Sequence, residues 1–565
     1  MSKITGAHMI IKCLKQEGVG VIFGYPGGKV IPLYDALYDS DIFHILVRHE
    51  QAAAHAADAY ARATGKTGVC IATSGPGGTN LVTGIANAYM DSVPIVAFTG
   101  QVSTVEIGTD AFQEADITGI TAPITKHNYL VKDIKDLPSI IKEAFYIAST
   151  GRPGPVLIDV PVDISTGLID EKAEGEIDLP GYKPTYKGNQ KQIKQAAKKI
   201  YESKKPVIFS GGGVISSGAS EILTSFAEKA KIPVITSLLG MGSFPEHSPL
   251  ALNMAGMHGT RYANTAFTQS DLIIAVGARF DDRVTGKVSG FAPEAEVIHI
   301  DIDPAEIGKI IKTAIPVVGN AKDVLTDLSK RYFEMDNAKS IDRKKEWVAH
   351  LMELKEKFPL MYDKKSPNLK PAYIVEKIYE HTEGKAIICT EVGQNQMWAA
   401  QFYKFTQPRT FISSGGLGTM GFGLPAAIGA KAGRPDKTVI DIAGDGSIQM
   451  VSQELATAVS NRLPIKIMLL NNGYLGMVRQ WQELFFKKRY SHTCIRECVD
   501  FVKLAEAYGG VGLRVTDKKD VDSAIKEALE TDNVVLVDFW IESEENVYPM
   551  VAPGAPISEM LEWEY

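Results

Sequence analysis

The sequence predicts an α/β protein made of three doubly wound parallel-sheet domains. Three observations predict it. Short apolar runs alternate with helical segments along nearly the whole chain, which is the rhythm of repeated βαβ units. The loops after these runs are rich in glycine (YPGG, SGPGGTN, SGGG, GDGS, NNGYLG), as expected where an open parallel sheet places its ligands. Two polar stretches, 166–204 and 335–370, separate the runs into three sets. The expected domains are 1–165, 190–340 and 365–540, with a polar tail over 541–565.

Composition narrows the class. The chain has 565 residues, 45% hydrophobic and 22% charged, which is ordinary for a soluble globular protein of three or four domains. A net charge of −7 gives no reason to expect nucleic acid or an anionic membrane. No apolar run reaches the roughly 18 residues of a membrane span. The N-terminal MSKITGAHMIIKCLKQEG reads as an amphipathic helix and lacks the features of a signal or transit peptide, so the expected location is cytoplasmic. Five cysteines, at 13, 70, 389, 494 and 498, form no CxxC pair and read as free thiols. Cys494 and Cys498 could share a helix face, but two ligands do not make a zinc site.

The elements follow in order. VIFGYP, HILVRHE, GVCIATSGPG, PIVAFTGQ and PVLIDVPVD form the first set. The stretch 166–204 shows no clear strand and reads as a linker running into a helix. KPVIFSGGG, KIPVITS, LIIAVGARF and EVIHIDID form the second set. The charged stretch 335–370 reads as a helical linker. The third set runs from KAIICTEVG to VVLVDFW and matches the first in length and rhythm.

Within the third set, TVIDIA ends in GDGS and IKIMLL ends in NNGYLG. An Asp and an Asn at the carboxyl ends of neighbouring strands suit a hard cation. Mg²⁺ takes one or two protein oxygens plus the phosphates of a bound molecule. Gly444 and Gly446 let the backbone approach a phosphate, and Ser447 can donate to it at the start of the next helix. GDG alone could equally be a surface turn. The NN that follows and the strand before each loop weigh against that.

The GDG…NN pattern resembles the motif of thiamine-diphosphate-dependent enzymes. The resemblance implies Mg²⁺ held by Asp445, Asn472 and the carbonyl of Tyr474. RHEQAAAHAADAYAR is similar to that family's pyrimidine-binding domain, which makes Glu50 the expected partner of the pyrimidine N1′. Read from its helix alone, Glu50 would be a first-turn glutamate favoured by the helix dipole. Further stretches extend the likeness along essentially the whole chain: FGYPGG, TSGPGGTN, GTDAFQEADITGIT, TGRPGPVLIDVP, GMHGT, GARFDDRVTG, HIDIDPAEIGK, SGGLGTMGFGLPAAIGA and NNGYLGMVRQWQ. Together they resemble the catalytic large subunits of biosynthetic acetolactate synthases. That family ligates two small 2-keto acids on thiamine diphosphate, in branched-chain amino acid synthesis. It implies a pyrimidine-binding, a central FAD-binding and a diphosphate-binding domain. It also implies a homodimer or homotetramer with sites between chains, and a separate regulatory small subunit.

Carried over position by position, the resemblance places Gln394, Asn395, Gly418 and Met420 on the thiamine cofactor, with Asn80 on its pyrimidine side. Met420 would support the bent cofactor. The run Gly416–Gly421 also fits GxGxxG, but it does not sit between a strand and a helix as a dinucleotide fingerprint should. FAD positions are Arg152, Gly212, Gly256, Met257, His258, Gly277, Arg279, Asp281 and Asp301. Phe112 and Gln113 match residues near the reacting carbons, and Gly28 a substrate position. Arg283 would receive the acceptor's carboxylate, and Trp481 would shape its pocket. Pyruvate oxidases, FAD-free catabolic synthases and a non-catalytic relative remain as alternatives. The chain departs from the family at Lys29 and Ser103, where Ala and Pro are usual at an inhibitor channel.

Overall fold

Strand order decides where this fold can bind ligands. The structure is a computed structural model and describes residues 2–496 and 499–562. It contains three six-stranded sheets, and every pairing within them is parallel. The first sheet runs Phe43–Leu46, Val21–Gly24, Gly68–Ala72, Ile95–Gln101, Val156–Pro161, His127–Leu130. The third runs Phe411–Ile412, Ile387–Thr390, Val439–Gly444, Lys466–Asn471, Val535–Trp540, Val511–Val515. In chain order both read 2-1-3-4-6-5. The central sheet runs Ala251–Met254, Val234–Thr236, Pro206–Ser210, Leu272–Val276, Glu296–Asp301, Ile315–Val318, or 3-2-1-4-5-6. That is the order of dinucleotide-binding folds, whose ligands lie where the order reverses.

Small residues bind the first and third domains together. The helix Glu50–Thr64 buries alanines 52, 53, 54, 56, 57, 59, 61 and 63. It packs on the helix Gly423–Gly433 of the third domain. A Cβ at Gly429 would collide with the carbonyl of Ala56, so the two backbones meet at a distance only glycine permits. The two domains share one hydrophobic core, with Ile85 and Leu157 at one side and Leu424 and Leu469 at the other.

Three segments differ from their sequence reading. The supposed strandless stretch contains Leu168–Asp170, which pairs antiparallel with Lys3–Thr5. The charged stretch after 335 is helical over Asn337–Lys357 but is more than a linker. Trp347 Nε1 donates to the Pro206 carbonyl at 3.1 Å, and Leu351 is buried in the central core. The polar tail is built into the body of the molecule. Met550–Val551 pairs with Met560–Leu561, and the Val551 N–H donates to Met257 at 2.7 Å.

Besides the strands of the two small sheets, Lys3–Thr5 among them, five strands of the three large sheets escaped the sequence reading: His127–Leu130, Ala251–Met254, Ile315–Val318, Phe411–Ile412 and Val511–Val515. All five lie at the edges of those large sheets. An edge strand is covered less completely, so it lacks the continuous apolar run of a central one. Cys494 forms a bridge with Tyr474 and is not helical, so no helix face is shared there; Cys498 lies outside the described residues. Cys13, Cys70, Cys389 and Cys494 are free thiols. Among the described residues no helix is long and apolar enough to cross a membrane.

Candidate active site

The strand order of the third sheet reverses between the parallel strands Ile387–Thr390 and Val439–Gly444. The loops leaving these strands, the one after Lys466–Asn471 and the one after Phe411–Ile412 line a small cavity with Gln394, Asn395, Met420, Gly444, Asp445, Gly446, Ser447, Asn472 and Tyr474. The loops are tied to one another. Asp445 Oδ2 accepts the Gly473 N–H at 3.0 Å. Asn472 donates its amide to Gln394 Oε1 at 3.0 Å and accepts the Tyr474 N–H at 3.0 Å. A Cβ at Gly476 would collide with Gln394 Oε1, so the last glycine of NNGYLG makes room for that pair. Burial pushes the Asp445 carboxyl up to about 7, against backbone N–H groups that pull it down. A buried carboxyl and an amide oxygen facing one cavity form a hard, oxygen-only donor set.

Ser447 lines the same cavity, with its side chain already engaged. Its hydroxyl donates to Glu391 Oε2 at 2.6 Å, so that proton is not free for a phosphate. Glu391 is fully buried and also accepts the N–H groups of Gly421 at 2.8 Å and Leu424 at 3.1 Å. It fastens the Met420 loop to the GDGS turn. Sequence reasoning missed it, although it stands directly after the strand IICT in the quoted run TEVG.

The other end of that loop is held by the first domain. Asp91 accepts the N–H groups of Gly415 at 2.9 Å and Gly416 at 2.7 Å. Arg62 pairs with Asp91 at 2.9 Å and with Asp58 at 2.6 Å, and donates to the Ser413 carbonyl at 2.9 Å. Asn87 Oδ1 accepts from Ser414 Oγ at 2.5 Å. Gly418 lines the large central cavity, apart from the Asp445 pocket.

Glu50, Asn80, Gly28, Phe112 and Gln113 line neither cavity. They gather on the first domain instead. Asn80 donates to Glu50 Oε2 at 2.9 Å. A Cβ on Gly77 would lie 3.5 Å from Glu50 Oε1, and one on Gly75 3.0 Å from the Gln113 Cα. Gln113 holds a left-handed φ of 61°, uncommon for a residue with a side chain. Phe112 is 84% exposed. Within one chain, then, Glu50 and Asp445 do not meet.

The central sheet reverses between Pro206–Ser210 and Leu272–Val276, where SGGG and GAR follow. Gly277 has φ 53°, and a Cβ on Gly213 would lie 2.7 Å from its Cα. This close glycine contact leads into a cavity of about 760 Å³. Arg152, Gly212, Met257, His258, Gly277, Arg279, Asp281 and Asp301 all line it. Gly256 does not; it packs behind, its N–H on Asn264 Oδ1 at 2.7 Å. Among the described residues the buried His258 Nδ1 has no hydrogen-bond partner, although the ring also meets the Pro549 backbone. Burial pushes the Asp301 carboxyl up to about 6. Arg152 pairs with Glu306 at 2.7 Å and Asp303 at 3.1 Å. Trp481 and Arg283 meet on the cavity's wall, the guanidinium 5.9 Å from the ring centre.

Comparison with known proteins agrees with this layout. Residues 4–120 match the N-terminal TPP-binding domain of thiamine pyrophosphate enzymes, 193–328 their central domain and 391–539 their C-terminal TPP-binding domain. The acetolactate synthase large subunit of Corynebacterium glutamicum is 52% identical, over 99% of this chain and 90% of the relative. Those of Haemophilus influenzae and Buchnera aphidicola are each 48% identical over 99% of this chain, and over 98% and 99% of the relatives.

Proposed function

The chain belongs to the acetolactate synthase large-subunit family of thiamine pyrophosphate enzymes, and from that premise we propose that it joins pyruvate to a second 2-keto acid. The acceptor is pyruvate, giving 2-acetolactate, or 2-oxobutyrate, giving 2-aceto-2-hydroxybutyrate. The observation that carries this reading is the junction of Asp445, Asn472 and Gln394 at the switch point of the third sheet. The relatives favour the synthase over the pyruvate oxidase and FAD-free alternatives.

The residues present fit Mg²⁺ and a diphosphate. Asp445 and Asn472 supply oxygens, and Gly444 and Gly446 leave the loop open to a close approach. When bound, thiamine pyrophosphate supplies a carbon nucleophile that takes a two-carbon unit from pyruvate, with loss of CO₂, to the acceptor. Asp445, Asn472 and the Tyr474 carbonyl hold the cation. Met420 props the cofactor from the wall of the pocket. Glu50 holds and returns a proton at the pyrimidine N1′. Asn80, which donates to Glu50, keeps that carboxyl oriented. Arg283 forks onto the acceptor's carboxylate, and Trp481 covers its side chain.

The first-domain residues reach the Asp445 pocket from a second chain. That accounts for the separation of Glu50 from Asp445 and for the exposure of Phe112, a phenylalanine that a neighbouring subunit would cover. The central cavity takes FAD. Its support is the 3-2-1-4-5-6 strand order, the glycine contact at 213 and 277, and a His258 Nδ1 left without a partner among the described residues. The name of the relatives, large subunit, supports a separate small one.

The deciding experiment supplies pyruvate alone and pyruvate with 2-oxobutyrate, with no electron acceptor. CO₂ release with both acetohydroxy acids supports the reading. Acetate or acetyl phosphate, or dependence on an electron acceptor, overturns it. A yellow colour that denaturation releases supports FAD.

A further inference from the structure

Glu454 belongs to the third domain but makes its main contacts with the first. It opens the helix Glu454–Ser460 and is fully buried. Both of its carboxyl oxygens lie within reach of the Arg48 N–H, at 3.0 and 3.2 Å. Thr457 Oγ1 donates to Oε2 at 2.7 Å and also approaches the Leu46 carbonyl at 3.4 Å. Arg48 lies in the turn between the edge strand Phe43–Leu46 and the helix Glu50–Thr64. His49 caps that helix, its side chain accepting the Gln51 N–H at 3.2 Å. The cap thus secures the helix from inside, and Glu454 secures the residue before the cap from another domain.

A turn N–H facing the interior must find an acceptor. A first-domain group could have supplied one. Instead the acceptor is an ionisable side chain taken out of water, which is costly unless donors meet it. The site recruits them in Arg48 and Thr457. The effect is mechanical. The turn that carries Glu50 is registered against the third domain, two residues from the carboxyl itself.

We propose that Glu454 is a positioning residue for Glu50: by gripping the Arg48 N–H it sets where the Glu50 carboxyl stands. This rests on the reading of Glu50 as the proton-holding group. It assigns Glu454 no contact with substrate or cofactor. Displacing a reacting group by a fraction of an ångström lowers turnover without weakening the binding of substrate.

The test uses the full chain with thiamine pyrophosphate and Mg²⁺, and the variants Glu454→Met, which has no oxygen to accept the Arg48 N–H, Glu454→Gln, whose amide oxygen keeps one, Thr457→Val and Glu50→Gln. Four quantities are read: kcat and KM for pyruvate, exchange of the cofactor's C2 hydrogen for deuterium, cofactor affinity by tryptophan quenching, and thermal midpoint. For Glu454→Met we expect kcat and the exchange rate to fall together by about tenfold, with KM and cofactor affinity within about twofold. Glu454→Gln should restore most of both, and Thr457→Val, nearly isosteric, should lower them by less than Glu454→Met. A folded Glu454→Met protein with parental kcat and exchange, beside an inactive Glu50→Gln, overturns the proposal and spares the Glu50 reading. So does a rise in KM or a loss of cofactor affinity with kcat unchanged. An active Glu50→Gln protein overturns both. If Glu454→Met does not fold, Thr457→Val decides: slowed exchange at constant KM supports the proposal, and parental exchange overturns it.

Discussion

Asp445 Oδ2 accepts the backbone N–H of Gly473 at 3.0 Å. One carboxylate therefore joins the loops that follow two neighbouring strands, and it does so where burial makes its charge expensive. A cation at this point would stabilise the ionised form.

Asp445→Ala should remove a metal ligand and the bond between the loops at once. Losing an outer-shell partner alone costs about 10–100-fold in metal affinity; losing this ligand should exceed that. Titration of thiamine pyrophosphate with and without Mg²⁺ measures it. Chelation of the metal should reproduce the defect in the parent protein, and an unchanged affinity would remove Asp445 from the site.

Glu50→Gln should keep the fold and lower turnover by about 10²–10⁴, the usual scale of general acid–base catalysis. Gln can still accept from Asn80 but cannot share a proton. Acetolactate formation under saturating pyruvate is the measurement.

Asp91→Ala should destabilise the protein by about 1–3 kcal/mol, the scale of stranding buried donors, because Arg62 loses one of its two carboxylate partners while keeping Asp58. It also frees the N–H groups of Gly415 and Gly416. Denaturant unfolding gives the stability. Activity should fall as well, since the same loop carries Met420.

Glu246 gives a pH prediction. Burial pushes its carboxyl up to about 8, so the folded protein holds this proton more tightly than the unfolded chain. Stability from this group is present at low pH and is lost as pH rises from the ordinary carboxylate value through about 8. Glu246→Gln cannot ionise and should be spared that loss. Thermal midpoints of both proteins, compared from pH about 5 to about 9, should cross over in favour of Gln. Parallel curves would show that Glu246 does not titrate in that window.

Lys29→Ala with Ser103→Pro should raise sensitivity to sulfonylurea-type inhibitors by about tenfold to a hundredfold per site, for about 1–3 kcal/mol of apolar contact each. The structure adds one qualification: the Ser103 N–H donates to Glu106 at 3.0 Å, a bond that Pro abolishes. The single variants separate the two effects in inhibition curves.

The fold class, the central strands and the GDG…NN pair were legible in the sequence because each depends on local order. A strand buried on both faces is apolar throughout, and a loop that meets a phosphate needs glycine. Edge strands such as Val511–Val515 lacked that signature. That the Ser447 hydroxyl is held by Glu391, 56 residues away, could not be read from the sequence near it.

Tertiary structure alone decided how these parts are held in register. Asp91 grips the Met420 loop across 324 and 325 residues of chain, and Glu454 grips the Glu50 turn across 406. An isolated acid in a helix looks the same in sequence whether it faces water or a buried N–H. Its partner is chosen by packing, here by the alanine and glycine faces that let the first and third domains touch. Residue types and spacing could name the chemistry, but only that contact, with its polar groups paired because burial leaves them no water, determined which groups hold it in place.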